Sequence, residues 1–374
     1  MRLSVELVEK PHHTNIKKQK DIKLERKLNL NIEIIRFIAI ILVISEHVLS
    51  ELAMNYDGTI KWLPGVLIWS FIKINVPLFL IISASLSFKD GLTAKEVFIK
   101  KTKRVAAPII FWSIFYTLFY SENRTLGAII INIINGSAMY HLYFMYMFIG
   151  FFFFFPLINN LYFRSKNSFF FYFFTLVASC SLIPTINKVF SLNLSLFNIT
   201  GLSSFGLLVF YAFVPKISEC VKNKLAKHIS NKSIFVYSLS LYFISCVITF
   251  LFAVYVKKTN GDIYSVINGG SFFVFLSSIL FYQAIMCVDA SKINDKLIAA
   301  IVFTGRHAFG IYLIHPAILY FILKYVYYPK LSATSHDSSV VSVTYFLLSL
   351  STVFLSSLLA SFLIEKIKYL KKTI

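Results

Sequence analysis

The stretch Ile32-Glu33-Ile34-Ile35-Arg36-Phe37-Ile38-Ala39-Ile40-Ile41-Leu42-Val43-Ile44-Ser45-Glu46-His47 decides how this chain is read. It is apolar except for Glu33, Arg36, Ser45, Glu46 and His47. At about 100° per residue, the eleven positions from Arg36 to His47 make three turns plus roughly 20°, with a rise of about 16 Å. Both side chains therefore share one helix face. A charged residue within a membrane span costs on the order of 2.5–3.5 kcal/mol on insertion scales, so such groups face protein or water and serve a purpose. Arg36 and His47 are the first candidates for an active site.

The rest of the chain supplies the membrane context. Across 374 residues, 57% are hydrophobic and 14% charged, and the mean hydropathy is +0.72. That composition excludes a water-facing globule. Apolar stretches long enough for a hydrocarbon core of about 30 Å recur at 32–52, 62–88, 105–121, 141–160, 168–187, 201–217, 233–256, 266–288, 299–325 and 340–364. The expectation is an all-α polytopic membrane protein of about ten transmembrane helices. Residues 1–31 form a basic cytoplasmic arm, disordered or lying on a surface, and 366–374 a basic cytoplasmic tail. Segment 122–140, short and broken by Asn and Gly, reads as an interfacial or re-entrant piece. The phenylalanine runs Phe151–Phe155 and Phe169–Phe174 read as lipid-facing filler.

Net charge is +20, but the basic residues sit in short blocks between apolar segments and form no continuous nucleic-acid-binding face. They fall mainly in the arm, the tail and alternate loops, which places both termini in the cytoplasm. The block Lys95–Arg104, with Lys100, Lys101 and Lys103, is the densest, and Lys216–Lys232 is a second. Such blocks fix topology and meet anionic lipid; the first could also receive a phosphorylated cytoplasmic cofactor. Arg36, Lys73 and Arg306 lie inside spans. The cysteines Cys180, Cys220, Cys246 and Cys287 have no metal-ligand spacing and read as free thiols.

In this topology His47, His141 and His315 share the outer side of the bilayer. A neutral imidazole can take a proton from a hydroxyl and return it, the requirement of acyl transfer to an alcohol. A three-histidine metal site has no supporting ligand spacing. Glu33 can pair with Arg36 three residues on. Glu46, next to His47 and about 100° around the helix, is poorly placed to orient it. The chain has no GxxxxGK[ST] phosphate loop, no GxSxG elbow, no HExxH motif and no His-x4-Asp, and no internal repeat of the kind transporters carry.

Several blocks, in order, resemble acyltransferase family 3. They are Arg36 and His47 with Glu33; Val76-Pro77-Leu78-Phe79-Leu80-Ile81-Ile82-Ser83; Lys101 to Arg104 with Pro108 and Trp112; His141-Leu142-Tyr143-Phe144-Met145-Tyr146 running to Pro156; and Gly310-Ile311-Tyr312-Leu313-Ile314-His315-Pro316. The resemblance covers roughly residues 30 to 365, implying an acyltransferase-3-like domain over 32–365. Ala84, Tyr143 and His307 depart from the family's usual residues, which bears on local packing and acceptor fit.

The resemblance implies an O-acyltransferase of a bacterial inner (plasma) membrane. Its donor substrate would be cytoplasmic acyl-CoA, most simply acetyl-CoA, with no permanently bound cofactor. Its acceptor would be a hydroxyl of a surface or lipid-linked polysaccharide. It ties Arg36 and His47 to activity, with Lys101, Arg104 and Ser83 at recurrent positions. On that reading Lys100, Lys101, Lys103 and Arg104 receive the coenzyme phosphates beside Arg36. His47 acts as general base or accepts the acyl group itself, and His315 and His141 orient the base or acceptor. Glu33, Ser83 and Lys73 support the site. The alternative is a flippase or exporter of lipid-linked glycans, with Arg36, Lys73 and the histidines lining a polar path.

Overall fold

A computed structural model describes residues 12–53, 62–190, 209–259, 261–322, 325, 339–368 and 370–374, with the side chains of 12–29, 51–53 and 339–343 outside the description. The first eleven residues of the basic arm and the first half of the sixth expected span, 201–208, lie outside the described residues.

All regular structure among the described residues is helical, as a lipid environment requires, because each helix satisfies its own backbone groups. In chain order the helices are α1 (His12–Ala53), α2 (Leu63–Ile72), α3 (Asn75–Ser85), α4 (Ala94–Tyr120), α5 (Leu126–Asn135), α6 (Tyr143–Arg164), α7 (Lys166–Val177) and α8 (Ile183–Phe190). They continue with α9 (Val214–Leu225), α10 (Asn231–Lys258), α11 (Tyr264–Ile267), α12 (Phe272–Ile285), α13 (Asp295–Ile322) and α14 (Ser339–Lys366). Seven segments are long and apolar enough to cross a membrane: Leu63–Ser85, Tyr140–Arg164, Lys166–Phe190, Asn231–Lys258, Tyr264–Ile285, Asp295–Ile322 and Thr344–Lys366. The chain is thus a multi-pass membrane protein. Two further long helices, α1 and α4, carry more charge but run beside these spans. Helix α4 lies antiparallel to α6, with Phe98 against Phe153 near one end and Tyr116 against His141 near the other.

Two local expectations change, and the tail gains a contact. Helix α1 begins at His12, well before position 32. Residues 12–31 contain neither Pro nor Gly and are rich in Lys and Leu, so the helix has no reason to stop. The phenylalanine runs are only half outward-facing: Phe151, Phe152, Phe155, Phe169 and Phe173 are buried, whereas Phe153, Phe171 and Phe174 point out. A helix cannot turn consecutive residues to one side. The 366–374 tail folds back, its Thr373 carbonyl accepting a 2.8 Å bond from the buried Trp112 indole of α4.

Helix α5, ten residues long, is too short to span a bilayer. It is capped by Thr125 and Gly136, rests on α4 through a 3.0 Å Asn132–Thr117 bond, and turns Leu126, Ile130 and Ile134 outward. Helix α4 opens with a capping box between Thr93 and Glu96, whose hydrogen bonds hold the Glu96 carboxyl below its ordinary pKa.

Helix α13 is the centre of the bundle, packed between α1 and α14. Two glycines permit that approach: a Cβ at Gly305 would strike the Glu33 carboxylate of α1, and one at Gly310 would strike the Ser361 hydroxyl of α14. Small residues at crossings let backbones close to this distance. Helices α10 and α12 are joined similarly by a 2.9 Å bond between the Ser245 and Ser277 hydroxyls.

Candidate active site

The three histidines singled out from sequence meet. The His47 and His315 rings stack at 5.2 Å and 27°, and His141 meets His315 edge-on at 5.6 Å. His47 comes from α1, His315 from α13, and His141 from the single 3-10 turn Tyr140–Leu142 that leads into α6. Aromatic residues wall them in: Tyr140 lies 4.8 Å from His47, and Tyr116 and Tyr312 lie 5.2 and 5.3 Å from His141. His141 and His315 are buried, and His47 is half-buried.

Pro316 explains why His315 holds its orientation. A proline within a helix has no N–H to give to the carbonyl four residues back, here that of Tyr312. The His315 Nδ1 takes that carbonyl at 2.7 Å, with the Ile311 carbonyl at 3.2 Å. Both partners only accept, so Nδ1 carries the proton and Nε2 is left with its lone pair. That Nε2 is buried without a partner, as are both ring nitrogens of His141. The backbone around them is already engaged: Tyr312 donates its hydroxyl to the His141 carbonyl and Tyr116 donates to the Leu313 carbonyl at 2.6 Å. Unpaired polar atoms in a protein interior are costly, and three of them stand together in this layer. The layer can therefore exchange hydrogen bonds with a polar group brought against it.

Below the histidine layer lies a cavity of 380 Å³ whose polar wall carries Arg36, Lys101, Arg104 and Arg306, with Ser83 beside them and Tyr312 at the histidine end. Arg36 is held by Glu33 at 2.6 Å. Lys101 sits with its ammonium 4.6 Å above the Phe152 ring; burial first, then Arg104 and Lys100, hold its pKa below the ordinary lysine value. The lining thus carries four cations and no carboxylate, which gives the cavity a positive potential. Lys100 and Lys103 project into the surroundings from other faces of α4 and do not line the cavity.

Helices α1 and α13 run parallel, and each presents a cation and then a histidine. Arg36 and Arg306 line the same cavity, and His47 and His315 stack. The separations along the axis are about 16 and 14 Å. Arg306 was visible in the sequence as a charge inside a span, but nothing there paired it with Arg36.

Lys73 does not enter the cavity. It stands at the break between α2 and α3, where it and Asn75 both donate to the Glu46 carboxylate, with Lys73 also 4.6 Å above the Trp69 ring. Glu46 is thus engaged by the neighbouring helix pair and does not bond to His47. Among the described residues no group of His, Cys, Asp and Glu side chains could hold a metal ion.

No curated protein and no solved structure matches the chain. The model of acyltransferase family 3, described as an acyltransferase domain, matches residues 29–364, a range that takes in every helix of the site. The chain belongs to acyltransferase family 3 and is a membrane acyltransferase.

Proposed function

We propose that this protein moves an acyl group, most simply acetyl, from cytoplasmic acyl-CoA to a hydroxyl of a cell-surface or lipid-linked polysaccharide. The reading includes ten crossings, both termini in the cytoplasm, and residence in a bacterial plasma membrane. The observation that carries it is the stacking of a cation level beneath a histidine level on α1 and α13, joined by a cavity that ends at Tyr312.

The coenzyme phosphates dock against Lys101, Arg104, Arg306 and Arg36, and the pantetheine arm runs along the cavity towards the histidines. The 14–16 Å rise suits Arg36 to holding the donor, because an arginine so far from the base cannot reach the reacting carbonyl (about 1.5 Å per residue). At the histidine level His47 takes the proton of the acceptor hydroxyl. The oxygen attacks the thioester carbonyl, the C–O bond forms and the C–S bond breaks. The coenzyme thiolate leaves and recovers the proton from His47. His315, with Nε2 fixed by the Nδ1 bond, holds the His47 ring or the acceptor hydroxyl in line, and His141 closes the layer. An acyl-imidazole on His47 followed by transfer balances equally well.

The test compares ester-linked acyl groups on surface polysaccharide, by mass spectrometry before and after mild alkali, in cells producing the native chain or well-folded His47→Ala. An alkali-labile increment with the native chain alone is expected. Equal acylation in both removes His47 from the chemistry. Absence from both, with the acceptor present, turns the reading towards glycan export.

A further inference from the structure

A second cavity, of 230 Å³, lies apart from the reaction centre, where the C-terminal end of α6 and the start of α7 meet α9. Its rim carries Lys166, Lys216, Lys224 and Lys227, and its single carboxylate is Glu219. Glu219 is taken by Lys216 at 2.7 Å, and that ammonium is further fixed 4.8 Å above the Tyr162 ring. Among the described residues Lys166, Lys224 and Lys227 have no ion pair and are exposed. Cys220, Asn223 and Lys224 recur with Lys216 at the four-, seven- and eight-residue spacing of one helix face, and Lys227 follows in the turn just past the end of α9. Lys222, off that face, instead donates to the Met286 carbonyl at 2.7 Å. Like charges are thus concentrated on the cavity side, and among the described residues only Glu219 answers any of them.

The position narrows the ligand. Arg164 closes one candidate span and Lys166 opens the next, so the cavity stands at the level where hydrocarbon gives way to head groups. Its wall is aromatic, with Tyr162, Phe169 and Phe170. Phe174, one turn along α7 from Phe170, is 64% exposed and Phe171 is 65% exposed, so the wall continues into the outward-facing surface of the bundle. A soluble anion has no use for that continuation, whereas acyl chains do. Lysines act as point charges that accept a phosphodiester in any orientation, where arginine forks would select one geometry.

We infer that this cavity is a binding site for the phosphate head group of an anionic membrane lipid, with the lipid's chains lying along the outward face of α7. The site is independent of the transferase reading.

The test uses the purified full-length chain and native mass spectrometry in an equal mixture of phosphatidylglycerol and phosphatidylcholine. One variant is Lys166→Gln/Lys224→Gln/Lys227→Gln. A second, Lys95→Gln/Lys296→Gln/Lys368→Gln, carries the same loss of charge elsewhere on the surface. All are checked for unchanged thermal unfolding, which exposed side chains permit. The native chain should retain phosphatidylglycerol in preference to phosphatidylcholine. The first variant should lose that retention on the order of a hundredfold, while the second keeps it. Equal loss in both variants, or equal retention of the two lipids, overturns the site. Displacement of the lipid by millimolar inorganic phosphate also overturns it, by assigning the cavity to a free anion.

Discussion

Replacing Pro316 by alanine should make the protein more stable and less active. The missing N–H at 316 leaves the Tyr312 carbonyl to His315, which holds it at 2.7 Å. Pro316→Ala restores a donor that competes for that oxygen. A neutral hydrogen bond of this kind contributes about 0.5–1.5 kcal/mol net, and 1.36 kcal/mol is a factor of ten in rate. The loosened His315 ring should therefore lower kcat roughly two- to tenfold. Removing proline from a helix interior meanwhile relieves up to about 3 kcal/mol. His315→Asn separates anchor from function: its amide can still donate to the Tyr312 carbonyl, but nothing replaces Nε2. Without that nitrogen to align the His47 ring or the acceptor, its kcat should fall about a hundredfold with little change in unfolding. Transfer of labelled acetyl from acetyl-CoA, read beside thermal unfolding in the same detergent, provides both numbers. An undiminished kcat in Pro316→Ala together with an active His315→Asn would refute the tautomer argument.

Arg306→Met should raise the donor KM about ten- to hundredfold, the worth of one charge-assisted hydrogen bond, with kcat little changed; an unaltered KM would remove Arg306 from donor binding. An anionic donor favours charged Lys101 and raises its depressed pKa, so binding takes up a proton. Donor affinity should then weaken as pH rises through the free-state Lys101 titration, and Lys101→Arg should flatten that dependence; coincident profiles would contradict the placement. Glu46→Gln strands the Lys73 ammonium and should destabilise the bundle by about 3–5 kcal/mol, much of it recovered in Glu46→Gln/Lys73→Met; denaturant unfolding of both decides. Gly305→Ala puts a methyl where the Glu33 carboxylate lies and should displace that flexible side chain from Arg36, so transfer activity should fall while thermal unfolding changes little; unchanged activity would remove the Glu33–Arg36 pair from the site.

Much of this architecture could be read from local pattern. Seven of the expected apolar segments reappear as spans, because hydropathy over a window of about 20 residues is a local property. The Arg36–His47 spacing placed both residues on one face, and the charge cost of burial marked them out. What stayed hidden depends on residues far apart in sequence. His47, His141 and His315 meet only because α1, α4, α6 and α13 converge, and the Arg36–Arg306 level exists only because α1 and α13 run parallel. Glu46 looked idle beside His47 until Lys73 and Asn75 arrived from the next helix pair. Lys100 and Lys103 show the converse: a basic block read as one surface is divided by helical rotation, with Lys101 and Arg104 on the cavity side and Lys100 and Lys103 turned to the surroundings.

The Glu46–Lys73 pair also bears on how the protein is made. The two residues belong to consecutive apolar segments, and each alone would enter the bilayer at a cost of roughly 2.5–3.5 kcal/mol. Joined, they present little net charge to lipid, with Asn75 completing the carboxylate's shell. Helix α1 is therefore a poor passenger by itself and an acceptable one as half of a hairpin with α2 and α3. Biogenesis should proceed by pairwise release from the insertion machinery, with α1 retained until α2 and α3 have been synthesised. A residue remote from the chemistry would then govern how much protein reaches the membrane at all.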